Sequence, residues 1–451
     1  MKLPACVMAC LEALEKAGFP AYAVGGCVRD LCLGLTPQDY DLCTAALPEQ
    51  TESVFRDRRL VLTGKKHGTI GVVTDSGVVE ITTFRTEGGY GDNRHPDWVR
   101  FVPDIREDLA RRDFTVNAMA WSPLRGLADP FGGQNDLSNG ILRAVGDPHA
   151  RFREDSLRIL RGVRFAVRYH LAPDPATEEA MFRLAPLMEN LARERVFEEL
   201  SKLLPLVSAE DLLHFSPVIT AVIPELAPMV GFDQRSPHHA YDLYTHTAKV
   251  TGQVPPDPAL RWTALLHDTG KIPTFTTDET GRGHFYGHAG AGAEIADSVL
   301  RRLKAPTALR EEVTLLIHKH MTKLEPDKRL LRRQLSKLGT DTVRKLLLLQ
   351  EADMGSKGTG KPPEMAQFSL LRDLLSEIEA ENAGLSLKDL AVNGLDLIQL
   401  GFSGRDIGKT LNLLLEKVME EQLPNEKETL LASLQKNQLD SAAEGQDPPL
   451  L

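Results

Sequence analysis

The chain contains 451 residues, of which 42% are hydrophobic, and its 53 Lys and Arg side chains are outnumbered by 63 Asp and Glu side chains. This composition excludes a globally disordered protein, and no apolar run approaches the roughly 18 residues that span a bilayer. Taken alone, the formal net charge of −10 argues against a nucleic-acid partner. We therefore expect a soluble, cytoplasmic protein of roughly two to four domains.

The predicted elements change character along the chain. Four short strands are predicted, over 21–26, 39–44, 69–74 and 78–84. A helix that ends at Gly34 lies between the first two strands, and from about residue 141 the pattern is almost wholly helical. The predicted fold class is therefore an α+β head with a small mixed sheet, followed by all-α segments. The predicted domains are this head at 1–140, a helical neck at 141–205, a helical body at 206–360 and a helical tail at 361–435, followed by a disordered end at 436–451. Residues 355–363 (GSKGTGKPP) are the predicted linker.

The first chemical pattern in the head combines two glycines with a group of acids. Gly25 and Gly26 stand at a strand-to-helix junction, where a backbone without side chains can approach a phosphate. Asp39 and Asp41 are two residues apart, so a strand would place both carboxylates on one face. Glu80, on a neighbouring predicted strand, is the candidate for a third acid. Hard oxygen ligands of this kind suit Mg²⁺, whereas the alternatives are a tight turn and ordinary surface acids.

The second pattern is the motif RRDFTVNAMA at 111–120. Its polar residues interleave with apolar ones, so that Arg112 can contact a triphosphate and Asp113 a ribose hydroxyl. The alternative is an internal salt bridge.

The third pattern, Asp155 and Arg158 in EDSLRILRGVRF, suits recognition of a nucleobase. On a single helix these two side chains would share a face. A carboxylate accepts from the exocyclic amine of cytosine or adenine, and a guanidinium donates to the adjacent ring nitrogen. Uracil and guanine mismatch both contacts, and each unpaired buried polar group costs about 1–3 kcal/mol. The alternative is an ion pair within the helix.

Together, these motifs resemble those of the class II tRNA nucleotidyltransferases, the CCA-adding enzymes, which belong to the polymerase-β-like nucleotidyltransferase superfamily and have bacterial poly(A) polymerases as close relatives. The resemblance covers about the first 205 residues. It is carried, in order, by GGCVRD, DYD, RTEGGYGDNRHPDWVRF, RRDFTVNAMA, DPFGGQNDL, REDSLRILRGVRF and LARERVFEELSKLL. It implies a polymerase-β-like head that transfers nucleotides from CTP and ATP to tRNA without a nucleic-acid template.

The resemblance also implies roles for individual residues, with Asp39 and Asp41 binding Mg²⁺ and Glu80 completing the catalytic acids. It implies nucleotide binding near the triphosphate by Gly25, Gly26 and Arg29, and at the ribose and phosphate by Arg112, Asp113 and Asn117. The protein template that selects CTP and then ATP is implied to consist of Glu154, Asp155 and Arg158. Arg161 and Arg164 are implied to be supporting positions. Residues 85–100 resemble a mobile loop that helps to switch from C to A.

The predicted body carries histidines and acids that suggest a second site. Imidazole and carboxylate ligands suit a transition metal or Mg²⁺. Their order resembles that of an HD-domain phosphohydrolase, which implies a divalent metal of unknown identity and hydrolysis of a phosphate ester. The implied ligands are His246, His267, Asp268, His288, His320 and Asp353. For the position given to His320, His318 stays open as an alternative.

The distribution of charged residues along the chain changes the interpretation of the negative net charge. Residues 143–170 hold seven Arg against three acids, and residues 301–350 hold 13 Lys and Arg against five acids. Residues 351–451 hold nine basic against 18 acidic side chains and dominate the net charge. Because local positive charge is enough to bind phosphates, tRNA remains a candidate partner, with 301–350 as one contact surface. The motif GFSGRDIG at 401–408 resembles the tail by which these enzymes grip tRNA.

Three functions remain open at this point. The first is a CCA-adding enzyme. The second is a poly(A) polymerase or an enzyme that adds only CC or only A. The third is an HD phosphohydrolase whose head merely binds nucleotide, which would leave the acids at Asp39 and Asp41 without a role.

Overall fold

The computed structural model describes residues 1–88, 98–358, 362–380, 386–419 and 422–434. Its contacts divide the chain into two units, one formed by residues 1–227 with 301–305 and the other by the remainder. Most of the predicted mobile loop, part of the predicted linker and the predicted disordered end lie outside the described residues, at 89–97, 359–361 and 435–451.

The first unit contains the predicted α+β head. The strands of this unit are β1 Ala21–Val24, β2 Asp41–Thr44, β3 Leu60–Val61, β4 Thr69–Thr74, β5 Gly77–Thr83, β6 Arg85–Gly88, β7 Trp98–Phe101, β8 Ala120–Ser122, β9 Gly126–Ala128, β10 Ile141–Leu142 and β11 Ala172–Pro173. Seven of them form a mixed sheet with the order β3-β4-β5-β2-β1-β8-β9. Within this sheet β2 and β5 are parallel, whereas the other neighbouring pairs are antiparallel.

Burial along the strands decides which side chains reach solvent. All four residues of β1 are buried, as expected for a strand in the middle of the sheet. In β5, Val79, Ile81 and Thr83 are buried, whereas Val78 and Glu80 are exposed. This alternation follows from the two-residue period of a strand and places Glu80 on the open face of the sheet.

The helices of the first unit are α1 Ala5–Lys16, α2 Gly26–Cys32, α3 Pro48–Val54, α4 Ile105–Ala110, α5 Gly133–Ser138, α6 Pro148–Glu154, α7 Leu157–Tyr169, α8 Pro175–Leu184, α9 Arg193–Leu203, α10 Ala209–His214 and α11 Ser216–Val222. Gly162 lets α7 approach its neighbours closely, because a Cβ atom there would lie 2.9 Å from the ring of Phe114. The predicted α+β head followed by helices is confirmed.

Among its described residues, the second unit has helices and one short hairpin, formed by β12 Thr276–Thr277 and β13 Gly283–His284. Its helices are α12 Leu243–Gln253, α13 Pro258–Leu266, α14 Lys271–Thr274, α15 His288–Arg302 (whose last two residues group with the first unit), α16 Thr307–Lys319, α17 Lys328–Leu338, α18 Thr340–Gly355, α19 Pro362–Ala380, α20 Gly394–Gln399 and α21 Arg405–Met419. Within the described ranges, none of the helices is both long and apolar enough to cross a membrane.

Candidate functional site

The acids of the head meet at the edge where β2 and β5 run parallel. Asp41 is paired directly with Glu80 in the register of the two strands. The predicted strand over 39–44 is wrong at its start, because β2 begins at Asp41 and Asp39 lies in the preceding segment. The predicted common strand face for Asp39 and Asp41 is therefore also wrong. All three acids nevertheless line one pocket of about 510 Å³.

The electrostatics of this pocket favour a cation. Desolvation by the surrounding chain raises the pKa of Asp41, the neighbouring carboxylates of Glu80 and Asp39 raise it further, and Arg112 opposes them. Like charges in this arrangement repel unless a cation neutralises them. The donor set consists of carboxylate oxygens, which fits Mg²⁺.

Gly25 closes the turn between β1 and α2, as the sequence predicted for a glycine pair. Its φ of 75° and ψ of −125° form a conformation that side chains with a Cβ atom rarely adopt. A Cβ atom at this position would lie 2.8 Å from Nη1 of Arg112. Arg112 in turn pairs with the buried Asp108 at 3.4 Å. The bare backbone of Gly25 therefore lets the Arg112 guanidinium lie against the turn.

We expect Gly25→Ala to lower the free energy of unfolding and to impair nucleotide addition. Gly34→Ala is the matched control, because Gly34 also has a positive φ of 71° but has open space at the Cβ position. Both variants carry the cost of a sparsely populated backbone conformation, about 1–3 kcal/mol, whereas only Gly25→Ala displaces Arg112. Urea unfolding and nucleotide incorporation measure the two effects. Equal losses of activity in both variants would contradict a role for the contact with Arg112.

Arg29 is tied to internal partners. It is 5% exposed, donates from Nη1 to Oδ1 of Asn117 at 2.5 Å, and pairs with Asp30 at 2.7 Å. It also donates to the hydroxyl of Tyr169, whose ring centroid lies 4.1 Å from the guanidinium carbon. Arg29, expected near the triphosphate, thus joins α2 to the 115–117 turn and to α7.

Asp113 forms the internal salt bridge that the sequence left open as an alternative. Its Oδ2 accepts from Nε and Nη2 of Arg161 at 2.9 and 2.7 Å, and its Oδ1 accepts from Nδ2 of Asn117 at 3.0 Å. Burial alone would raise the pKa of Asp113, but the charge of Arg161 and these hydrogen bonds hold it at about 2. Asp113 therefore stays ionised and holds Arg161 in place.

This low pKa predicts a defined acid sensitivity. The pKa of Asp113 is about 2 in the folded protein and about 3.9 in an unfolded chain. Asp113 therefore stabilises the fold above about pH 4, and this contribution, about 3 kcal/mol, is lost as the pH falls toward 2. We expect the difference in unfolding free energy between the wild type and Asp113→Asn to shrink over that window. A difference that does not vary with pH would contradict the paired carboxylate.

The predicted single helix through the base-selecting motif is wrong. Helix α6 ends at Glu154 and α7 begins at Leu157, and Asp155 between them has an extended backbone with φ −145° and ψ 101°. Asp155 therefore does not pair with Arg158 as a helical neighbour.

The two base-selecting candidates instead have separate partners. Oδ2 of Asp155 accepts from Nη2 of Arg195 at 2.9 Å, and Oδ1 accepts from the backbone N–H of Leu157 at 3.1 Å. Arg158 donates from Nη1 to Glu154 at 2.8 Å and to the carbonyl oxygen of Arg151 at 3.2 Å, and from Nη2 to the carbonyl oxygen of Arg111 at 3.2 Å. Among the described residues, these bonds leave part of the donor capacity of Arg158 unused.

Sequence reasoning missed the acid that anchors the remaining arginines. Glu199 on α9 is 5% exposed, and its Oε2 accepts from Nε of Arg164 at 2.6 Å. Its Oε1 lies 3.9 Å from Nη1 of Arg161. Arg195 and Glu199 are four residues apart on α9, so the spacing that places them on one helix face was available as a signal.

A histidine and aspartate cluster lies within the second unit. Nε2 of His246 lies 2.9 Å from Oδ1 of Asp353, and Nε2 of His267 lies 3.2 Å from Oδ2 of Asp268. His288 and His320 approach through their Nε2 atoms at 3.2 Å. Among the described residues, the groups close enough to share an ion are two trios, His246 with His267 and Asp268, and Asp268 with His288 and His320. His318 is exposed, so the cluster contains His320.

The orientation of the imidazoles fits a metal. The Nδ1 atoms of His267, His288 and His320 each contact the carbonyl oxygen three residues earlier, at 2.8, 2.8 and 2.6 Å. Because a carbonyl only accepts, each Nδ1 carries the proton and each Nε2 presents a lone pair to the cluster.

Three buried polar atoms at this centre lie beside charged neighbours but lack a hydrogen bond of acceptable geometry. They are Nε2 of His246, Nε2 of His267 and Oδ2 of Asp268. Burial lowers the pKa of His320 to about 4, with His267 adding to the effect, and burial also lowers the pKa of His288. Although burial alone would lower it, the pKa of His267 is raised by the neighbouring Asp268 carboxylate. The imidazoles of His288 and His320, beside an ionised Asp268, form a donor set suited to a divalent cation.

Family profiles match most of the chain in three segments. They are described as a poly A polymerase head domain over residues 21–143, a probable RNA and SrmB-binding site of polymerase A over 170–228, and a putative tRNA nucleotidyltransferase domain 2 over 275–434.

Curated relatives extend the similarity to almost the full length. The CCA-adding enzyme of Streptococcus suis (strain 05ZYH33) is 48% identical over 194 residues. This match covers 43% of this chain and 48%, about half, of the length of that relative. The CCA-adding enzyme of Geobacillus thermodenitrificans (strain NG80-2) is 32% identical over 441 residues, covering 94% of this chain and 95% of the relative.

A solved structure has the same fold. The Bacillus stearothermophilus CCA-adding enzyme in complex with CTP aligns with a TM-score of 0.69 and 28% identity, covering 98% of this chain and 100% of the other. The fold and the carboxylates paired across β2 and β5 agree with relatives that match nearly the whole length of the chain. The chain therefore belongs to the family of CCA-adding enzymes.

Proposed function

We propose that this protein adds C, C and A in turn to the 3′ end of tRNA, from CTP and ATP and without a nucleic-acid template. The observation that carries the proposal is the register of β2 and β5, which sets Asp41 beside Glu80 in the pocket that Asp39 also lines. Relatives named CCA-adding enzymes match this chain over 92% and 94% of its length. A similar solved enzyme was crystallised with CTP.

The reaction joins the terminal 3′ oxygen of tRNA to the α-phosphorus of the nucleotide and releases pyrophosphate. Mg²⁺ held by Asp39 and Asp41, with Glu80 as third acid, would stabilise the negative charge of the attacking and leaving oxygens. The carboxylates position the reacting groups. We assign binding of the triphosphate of the incoming nucleotide to Arg112, whose guanidinium lies against the Gly25 turn.

The choice of base is assigned to Asp155 and Arg158. The carboxylate would accept from the exocyclic amine of cytosine or adenine, while the guanidinium donates to the ring nitrogen. Arg195 holds Asp155, and Glu154 holds Arg158. Asp155 lies between α6 and α7 and Arg158 lies on α7, so in this proposal the base contacts two side chains that do not share a helix.

Incubation of tRNA lacking its 3′ terminus with CTP alone, ATP alone or both nucleotides tests the proposal. We expect two C residues with CTP and a complete CCA end with both. Long A tracts would indicate a poly(A) polymerase, and addition of only CC or only A would indicate a specialised enzyme. Absence of any addition, with an active second unit, would favour a phosphohydrolase whose head only binds nucleotide.

For the second unit, we propose a divalent metal centre that hydrolyses a phosphate ester. His246, His267, Asp268, His288, His320 and Asp353 are the candidate ligands, and the buried lone pairs that face one another support this role. A bound metal would lower the pKa of a water molecule. The oxygen of this water would form the new bond to phosphorus, and the leaving alcohol would take up a proton.

Two lysines line the same pocket, which has a volume of about 290 Å³. Nζ of Lys271 lies 2.7 Å from Oδ2 of Asp268, and Nζ of Lys357 lies 3.3 Å from Oδ2 of Asp353. Their positive charge is suited to the phosphate of a substrate. Hydrolysis of bis(p-nitrophenyl) phosphate that stops with a chelator and returns with added metal would support the proposal, whereas hydrolysis insensitive to the chelator would contradict it.

We further propose that the tail binds tRNA through the segment that joins α20 to α21. Gly401 and Gly404 have positive φ angles of 91° and 57° and open space at their Cβ positions. This bare backbone can approach a ribose-phosphate chain closely. The stretch 301–350 is a weaker contact surface, because several of its cations pair with acids, as Lys328 does with Glu377.

A further inference from the structure

The buried ring of Phe165 on α7 lies among the arginines expected at the nucleotide site. The guanidinium carbons of Arg164, Arg161 and Arg29 lie 4.5, 5.2 and 5.3 Å from its centroid. On the same ring, Phe114 packs edge-on at a centroid distance of 5.9 Å. Within the described part of the chain, three guanidiniums therefore share one ring that has no role in the reactions proposed above.

Acidic side chains offset the mutual repulsion of these three cations. Each guanidinium has its own acid at 2.6–2.7 Å: Arg29 with Asp30, Arg161 with Asp113, and Arg164 with Glu199. Because a guanidinium is planar, its edge can donate to a carboxylate while its flat face packs on a ring. The ring of Phe165 can therefore hold the cations in place without competing for their hydrogen bonds.

The place of Phe165 on α7 joins two parts of the nucleotide site. Arg158 and Tyr169 lie seven residues before and four residues after Phe165, so all three share one side of the helix. The ring centroid of Tyr169 lies 4.1 Å from the guanidinium carbon of Arg29, and its hydroxyl accepts from the same group. The backbone N–H of Arg29 donates in turn to the carbonyl of Gly25 at 3.1 Å. Phe165 thus connects the turn expected at the triphosphate with the helix that carries the base-selecting guanidinium.

We infer that Phe165 is a positioning residue for nucleotide addition, whose ring seats three guanidiniums and so sets the distance between the Gly25 turn and Arg158. This inference rests on the proposed addition of CCA and adds a residue that acts on the nucleotide only through others. At 5% exposure the ring is covered by protein, so it cannot stack on a base itself. A nucleotide held by both its triphosphate and its base must match this distance, and a changed distance weakens CTP and ATP alike.

Removal of the ring tests this role against a simple loss of packing. We expect Phe165→Leu to raise KM for both CTP and ATP about tenfold, because desolvated cation–π contacts are lost, with a smaller change in kcat. Selection of CTP over UTP should also fall, because Arg158 no longer has a fixed position. Phe215→Leu is the matched control, since Phe215 is 3% exposed in the same unit and its ring packs against Phe182 and His214. It should lose stability to a similar degree and keep the wild-type KM values.

A series of fluorinated phenylalanines at position 165 isolates the electrostatic part of the contact. Fluorine withdraws negative charge from the ring face and weakens its attraction for cations, while the shape of the ring is nearly kept. KM for CTP should rise stepwise from phenylalanine to its mono-, di- and trifluorinated forms, whereas Tm, measured for each protein, should stay nearly constant. A constant KM along the series, or an equal rise of KM in Phe165→Leu and Phe215→Leu, would overturn the inference.

Equilibrium dialysis of CTP with Mg²⁺, in the absence of tRNA, separates this inference from the proposed function. If the wild type binds CTP but adds no nucleotide to tRNA, the proposed function fails, and the Kd values of the fluorinated proteins still test the role of the ring. If the wild type adds CCA and Kd stays constant along the series, the inference fails while the proposed function stands. Absence of CTP binding would contradict both. A Kd that rises with each fluorine atom at unchanged Tm supports the inference.

Discussion

Asp41→Asn is expected to abolish nucleotide addition while leaving the second unit intact. Asp41 lies directly opposite Glu80 and lines the pocket that Asp39 shares. Removal of one charge from a group that stabilises the transition state costs a hundred- to thousandfold in kcat, as an order of magnitude. Incorporation of labelled CMP and AMP into tRNA measures the loss, and hydrolysis of a phosphate ester by the same sample should be unchanged.

The control for this variant is Asp75→Asn, which removes one exposed carboxylate from the turn between β4 and β5. It changes the net charge equally but is not among the residues that line the pocket. We expect nearly wild-type incorporation. Because desolvation and the neighbouring acids raise the pKa of Asp41, Asp41→Asn should also be at least as stable as the wild type in a chelator at neutral pH. A lower free energy of unfolding in Asp41→Asn would indicate that the variant loses activity through a structural defect and not through loss of a catalytic carboxylate.

The second large effect is expected from His320→Ala, which should lose the metal of the second unit and its hydrolase activity. Nε2 of His320 lies 3.2 Å from Nε2 of His288 and belongs to a trio with Asp268 that is close enough to share an ion. Even loss of a residue that only supports a ligand weakens metal binding about 10- to 100-fold, so loss of a ligand should cost at least as much. Elemental analysis of the purified protein measures the metal.

His318→Ala is the matched control, because His318 is exposed and only two residues away on the same helix end. We expect it to keep both metal and hydrolysis. Addition of CCA should be unaffected in both variants, since their substitutions lie outside the first unit. Equal metal contents in the two variants would remove the basis for a metal centre at this cluster.

The sequence predicted four strands of the head because their signals are local, although the first ends at Val24 and not at residue 26, and β3, β8 and β9 of the sheet were not predicted. The strand over 69–74 agrees with β4, and the strand over 78–84 differs from β5, Gly77–Thr83, by one residue at each end. The alternation of burial that places Glu80 on the open face follows directly from the strand period. The histidine cluster was also predictable, since the order of ligands along the chain is part of the resemblance. Its metal remains a prediction.

The arrangement of the base-selecting motif could not be predicted in the same way. Its apolar spacing is compatible with one continuous helix, whereas the structure breaks the chain at Asp155. The partner of this residue is Arg195, which is 40 residues later in the sequence. Likewise, Asp113 pairs with Arg161, 48 residues away, and Arg164 with Glu199, 35 residues away. Such partners depend on tertiary contacts that local propensity does not encode.

The parallel register of β2 and β5 also has a consequence for folding kinetics. A parallel pair cannot be joined by a tight turn, and here α3, β3 and β4 intervene between the two strands. Closing such a long segment is slower than forming local helices. During refolding, helical signal should therefore return before catalytic competence, because Asp41 and Glu80 become neighbours only when these two strands align.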